Sequence, residues 1–312
     1  MMNVPVLYLV FNRPDHTRQS FDAIRKMKPM YLYIGADGPR EGNKSDEIQC
    51  AEVREIVSQI DWECKPQFHF NEKNLGTKLA VSNAINWFFS NVEEGVIIED
   101  DCIPEPTFYS YAYQMLSRYR NDDRVMHING TNFLKGAKIV KGSSYYFSNF
   151  CHVWGWATWR RAWQHYDVAM KDFQAIDKTE LRASISADPV VSDYWYHCLD
   201  TAHRGKIDTW DYQWYYAFWK NHGYAITPSM NMVCNIGFDE SGTRTVSRHN
   251  RFSRMKKFPM KDIIHPESMI KNLAADKYAS AQKIKELTPS ILEKVQYKWK
   301  LIINDLNKNE AK

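Results

Sequence analysis

Apolar positions along the first 130 residues recur in two alternating rhythms. Residues 4–11 (VPVLYLVF) form a nearly continuous apolar run, as expected of a strand covered on both faces in a parallel sheet. The run stops at Asn12-Arg13-Pro14, and Phe21, Ile24 and Met27 then fall at helical spacing behind Asp15 or Thr17 as cap. The same alternation repeats down the chain. A strand is predicted over Tyr31–Ala36, closed by Asp37-Gly38-Pro39, and a helix opens at Ser45 with Ile48, Val53, Ile56, Val57 and Ile60 inward. A short strand over residues 67–70 and a loop over 71–76 precede a strong helix over 77–92. Residues 95–98 and 125–128 read as strands, with a helix over 106–119 between them. This order predicts an α/β, three-layer domain with a mainly parallel central sheet. Ligands of such sheets bind outside the carboxyl ends of the strands, which puts Arg13, Asp37 and Glu99–Asp101 along one rim.

The second half has no such rhythm. Residues 145–166 and 194–224 carry most of the tryptophans, and residues 229–250 read as an irregular loop with Gly237 and Gly242. The chain then turns basic: residues 251–312 hold 14 Lys/Arg against 7 Asp/Glu. Their net +7 exceeds the +4 of the whole chain, so residues 1–250 carry −3. A nucleic-acid-binding main body is therefore excluded. The expected organisation is a catalytic domain over residues 1–250, divided near residue 130, and a basic helical segment over 251–312. The last helix, residues 291–306, has an apolar stripe with Trp299 and lysines opposite. It admits two readings: contact with an anionic membrane face, or packing on the domain with its lysines in water.

Composition narrows the class further. Hydrophobic residues at 44% and charged ones at 25% are ordinary for a soluble globule and exclude disorder over most of the 312 residues. Aromatic residues at 14%, with 11 Trp, offer stacking faces as well as core. The N-terminal residues lack the features of a cleaved leader, and no apolar stretch reaches the ~18 residues of a membrane span. Six scattered cysteines without a CxxC pair fit reduced thiols and no zinc site, so a cytoplasmic protein is expected.

The sharpest chemical feature is Gly95-Val96-Ile97-Ile98-Glu99-Asp100-Asp101. Three adjacent carboxylates at a strand end repel one another and lose hydration, a cost that a hard cation holding phosphate oxygens relieves. A solvated acidic turn opening the next helix is the plainer alternative.

In order along residues 4–245, several motifs resemble the GT-A nucleotide-sugar glycosyltransferases. They are the first strand to Pro14, the turn at Asp37, the Lys78 helix, GVIIEDD with Pro104 and Phe108, Gly155-Trp156, the segment from Asp208 to Trp214, and the loop at 236–245. The EDD form of the acidic motif is similar to the N-acetylglucosaminyltransferase I type. The resemblance implies a metal-dependent, inverting enzyme that moves a sugar from a UDP-sugar to a glycan or lipid-linked glycan hydroxyl, in glycan or surface-polysaccharide synthesis, at the inner membrane face if the tail binds there. It implies Mn²⁺ or Mg²⁺ on Asp101, with Glu99 and Asp100 facing donor ribose and sugar, or fixing Asp101. Arg13 and Lys78 would meet the diphosphate, Asp37 the uracil or ribose, and Trp156 would cover the sugar. Asp211 would be the general base, with Asp208 as its rival. A loop over residues 236–248 would close on the donor, and His249 would be a further metal ligand or a surface histidine. Ser82 or Asn83 stands where the family helix offers a histidine to the base. Two rival classes remain. A sugar-nucleotide pyrophosphorylase should carry a glycine-rich loop after the first strand, absent from Phe11-Asn12-Arg13-Pro14; a carbohydrate-binding protein would need no carboxylate cluster.

Overall fold

The apolar run near the start becomes β1 (Val6–Val10), with every residue buried. The computed structural model describes residues 4–238, 252 and 255–287. The strand's alternating side chains feed two cores. Val6, Tyr8 and Val10 join one hydrophobic cluster, and Leu7 and Leu9 join another on the opposite face. β1 pairs in parallel with β2 (Tyr31–Ala36) and with β4 (Glu94–Glu99), and β2 pairs in parallel with β3 (Lys65–Phe70). Two antiparallel contacts through β8 (Trp156–Trp159) join this half to β6 (Val125–Asn129). β9 (Tyr224–Pro228) lies parallel to β6, and β7 (Tyr145–Ser148) closes the edge antiparallel. The eight-stranded sheet runs β3-β2-β1-β4-β8-β6-β9-β7. Only β8 and β7 oppose the common direction, so the sheet is mainly parallel and mixed α/β.

Helices cover both faces, as the three-layer expectation requires. α1 (Pro14–Met27), α2 (Lys44–Ser58) and α4 (Thr107–Tyr119) bury Phe21, Val53 and Leu116 on one side. α3 (Gly76–Asn91), α5 (Arg160–Trp163), α6 (Lys178–Ile185), α7 (Pro189–His203) and α8 (Asp211–Lys220) cover the other, largely through aromatic residues. Trp159 and Trp163 are buried.

One expectation needs correction. Ile48 is 70% exposed, because α2 buries Asp46, Cys50, Val53 and Val57 instead. Asp46 can occupy the inner face because Arg40 and Asn12 satisfy its carboxylate. Described residues beyond 255 pack on the body of the molecule. Met260 enters the first core, and α9 (Leu273–Leu287) adds Ala275 and Ala279 to a third cluster with Phe133, Tyr146 and Phe238. The predicted loop beyond residue 238, His249 and the helix at 291–306 lie outside the described residues. Among the described residues no helix is long and apolar enough to cross a membrane.

Candidate active site

β4 delivers Glu99 to the rim, and the chain turns through Asp100 and Asp101 into β5 (Cys102–Pro104). β5 pairs antiparallel with β10 (Val233–Asn235), so a segment more than 130 residues away lies beside the acidic turn. The three carboxylates have different surroundings. Asp100 is buried and holds the Arg13 guanidinium in a two-point ion pair through Nε and Nη2. Asp101 accepts from Arg13 Nη2 at 3.1 Å and from Asn235 Nδ2 at 3.0 Å. Burial opposes the charge on Arg13, but the two aspartates more than offset it and raise its pKa. Glu99 has no such partner strength. Burial, reinforced by Asp101, Asp100 and Asp211, pushes its carboxyl up to about 8.

Gly237 seats the loop after β10 against this turn. A side-chain carbon there would collide with the Asp101 carboxylate, and Ile236 N–H donates to the Asp101 carbonyl at 2.8 Å. Only glycine permits that approach.

Two cavities meet at the acidic turn. One, of about 330 Å³, lies beyond β1 and β2 and is lined by Asn12, Asp37, Arg40, His69, Asn74 and Asp208 among others. The second, of about 470 Å³, is lined chiefly by aromatic residues, including Phe133, Trp154, Trp195, Trp210 and Tyr215, with Asp211 and Lys283. Arg13, Thr77, Glu99 and Asp101 line both. Both volumes fall in the ~300–1,000 Å³ range of small-molecule sites.

The structure separates the two candidate bases. Asp208 faces the smaller cavity and accepts from Thr77 and Lys78 N–H at 2.9 and 3.2 Å, so it caps α3 from a distant segment. Asp211 faces only the larger cavity, in the first turn of α8, and accepts from the Thr209 hydroxyl.

Other expected residues sit differently from their assigned parts. Asp37 accepts from Gly38, Leu75 and Gly76 N–H and from the Asn71 and Asn74 amides at 2.8–3.2 Å. Its carboxylate thus holds the loop that forms the wall of the smaller cavity. Lys78 is half-buried on α3, outside the lining of either cavity. Trp156 is fully buried, stacked between His127 at 4.9 Å and Trp210 at 5.7 Å between ring centroids. It cannot cover a ligand from there; Trp154, Trp195 and Trp210 reach the cavity instead. Gly155 makes a close approach to the Val233 side chain. Sequence reasoning missed Asn235, Thr77 and Lys283. No local signal marked them, since their partners lie far along the chain.

A resident metal fits here only in part. Among the described residues no group of three His, Cys, Asp or Glu side chains is arranged to hold an ion. Asp100 is committed to Arg13, which leaves Asp101 and Glu99 as oxygen donors. That set suits an ion that keeps most of its shell from water and substrate phosphates.

No protein-family model matches the chain, nor does any curated protein. Solved structures align with it at low similarity. The mannosyltransferase PcManGT from Pyrobaculum calidifontis, in complex with GDP-Man and Mn2+, aligns over 70% of each chain at 14% identity, with a TM-score of 0.36. HddC from Yersinia pseudotuberculosis aligns over 51% of this chain and 77% of its own at 10% identity, TM-score 0.31. A UDP-glucose pyrophosphorylase complexed with UDP-glucose aligns over 46% of this chain and 62% of its own at 9% identity, TM-score 0.27.

Proposed function

We propose that the chain is a GT-A-like glycosyltransferase that moves a sugar from a nucleotide-sugar donor, a UDP-sugar, to an acceptor hydroxyl. The observation that carries this reading is the meeting of two cavities at Glu99, Asp101, Arg13 and Thr77, with Asp211 on one side only. A transferase needs two substrates whose reacting atoms meet at one point, and this layout provides it. The smaller cavity, at the carboxyl ends of β1 and β2, takes the nucleotide. The larger, aromatic cavity takes the acceptor sugar, whose apolar ring face suits indole.

Asp101, with Glu99, would hold a divalent Mn²⁺ or Mg²⁺ that arrives with the diphosphate, and that ion would offset charge on the leaving group. Arg13 supplies a fixed cation at the same point, held in place by Asp100. Asp37 and Asp208 act indirectly, by fixing the loop and helix start that shape the nucleotide cavity. Asp211 accepts the proton of the acceptor hydroxyl as that oxygen attacks the anomeric carbon from the opposite side, so the configuration inverts. The sequence likeness to the N-acetylglucosaminyltransferase I type belongs to this proposal, as do a cytoplasmic location and a glycan or lipid-linked acceptor.

The test pairs calorimetry with product analysis. UDP should bind with Mn²⁺ present and weakly without it, and NMR of the transfer product should show an inverted anomeric centre. Formation of nucleoside triphosphate from UDP-sugar and pyrophosphate would select the pyrophosphorylase instead. Retention of configuration would remove Asp211 as base.

A further inference from the structure

Lys283 stands out among the residues the proposed reaction does not use. It comes from α9, 72 positions beyond Asp211 in the chain, yet lines the same aromatic cavity. Its Nζ donates to Tyr215 Oη at 3.0 Å and lies 5.0 Å from the Trp195 ring centre, 5.3 Å from Tyr215 and 5.5 Å from Phe133. Among the described residues no carboxylate comes within ion-pair distance of it. An ammonium has three N–H donors, and Tyr215 takes one.

A cation drawn out of water into an aromatic cage is costly unless an anion joins it. Burial lowers the amine to about 8, with Asp211 across the cavity working the other way. The amine therefore remains mostly charged near pH 7. A lysine whose only task was to pin α9 would gain more from a carboxylate on the body, as Asp276 in the same helix gains from Ser148 and Asn149.

We propose that Lys283 is the anion-recognition point of the acceptor compartment, and that the acceptor carries an acidic group, carboxylate or phosphate, beside the hydroxyl that reacts. The inference rests on the assignment of the larger cavity to the acceptor. The cage rings contact the sugar or the stem of the lysine, and the two remaining N–H donors meet the anionic oxygens. Specificity follows from the difference: a neutral acceptor leaves the half-buried ammonium with only Tyr215 and the charge of Asp211 across the cavity, whereas an acidic one offers its remaining N–H groups anionic oxygens.

The experiment uses the full chain and simple probes, because the natural acceptor is unidentified. Methyl β-glucuronide, glucose 6-phosphate and methyl β-glucoside are titrated calorimetrically, alone and with UDP and Mn²⁺. At least one acidic sugar should bind tenfold or more tighter than the neutral glucoside, and which one does so distinguishes carboxylate from phosphate. Lys283→Gln should abolish that preference while UDP affinity stays as in the wild type; Lys283→Arg should retain part of it. Equal binding of acidic and neutral sugars by the wild type overturns the proposal, as does a preference that survives in Lys283→Gln. If Lys283→Gln does not fold, the wild-type comparison and the arginine variant still decide. Loss of UDP binding by the wild type would count against the transferase reading and leave the sugar titrations interpretable.

Discussion

The two cavities were built by different means. The smaller cavity, the proposed nucleotide side, is lined by short connections at the ends of parallel strands, and three of its carboxylates are already engaged: Asp37 by five groups, Asp100 by Arg13, Asp208 by two backbone amides. The larger cavity, the proposed acceptor side, is lined by rings from α7, α8 and the loop before β8, with one lysine from α9. Polar atoms fixed by hydrogen bonds give a rigid, directional site; ring faces give a site defined by shape. Substitutions should accordingly damage the nucleotide side through lost order and the acceptor side through lost chemistry.

The largest effect is expected at the shared boundary. Asp101→Asn should remove the metal-dependent part of UDP binding, read by calorimetry with and without Mn²⁺, and bring transfer below detection. A variant that binds UDP and Mn²⁺ like the wild type would take Asp101 out of the metal site. On the acceptor side, Asp211→Asn should leave UDP affinity intact and slow transfer by ~10²–10⁴-fold. Asp208→Asn should cost much less rate, and the reverse ranking would exchange the two assignments.

On the nucleotide side, Asp37→Ala leaves several buried N–H donors unanswered, and should lower stability by about 1–3 kcal/mol. Chemical denaturation measures this, and a loss of UDP affinity should accompany it even without any direct contact. The smallest effect concerns acid. Asp46 is held down to about 2, chiefly by the Arg40 hydrogen bond. Its folded pKa is below the unfolded one, so its stabilisation is present above the usual carboxylate range and is lost as pH falls toward 2. The gap in melting temperature between wild type and Asp46→Asn should therefore narrow on going from pH 6 to pH 2. Asp276 has the opposite sign. Burial raises it to about 6, so its contribution is best at low pH and declines as pH rises through that value. A gap that widens in acid would contradict the Asp46 reading.

The nucleotide half was largely legible in the sequence because its information is local. Residues 4–11, Tyr31–Ala36 and the GVIIEDD stretch announce strands by apolar continuity, and their ends name the rim. Ile48 misled because hydrophobic spacing alone cannot foresee a paired carboxylate taking the inner face. The acceptor half was legible only as an excess of aromatic residues. Whether a given tryptophan is core or wall depends on partners far away: Trp156 sits between His127 and Trp210, while Trp154 borders Phe238. Lys283 was invisible for the same reason, since its value comes from Tyr215 and Trp195 rather than from its neighbours in the chain.

The contact between Asn235 and Asp101 has a consequence for the protein's synthesis. The two residues are 134 positions apart, and Asp208 reaches Thr77 across 131. At about 5–20 residues per second, roughly 7–27 s pass between the emergence of the acidic turn and that of its asparagine. Through most of that interval the emerging chain has neither the brace on Asp101 nor the far cap on α3, and α9 has yet to be made. Ribosome-bound chains halted before residue 235 would consequently be silent toward nucleotide sugars, and competence would arrive as a late, single event once the two distant segments dock.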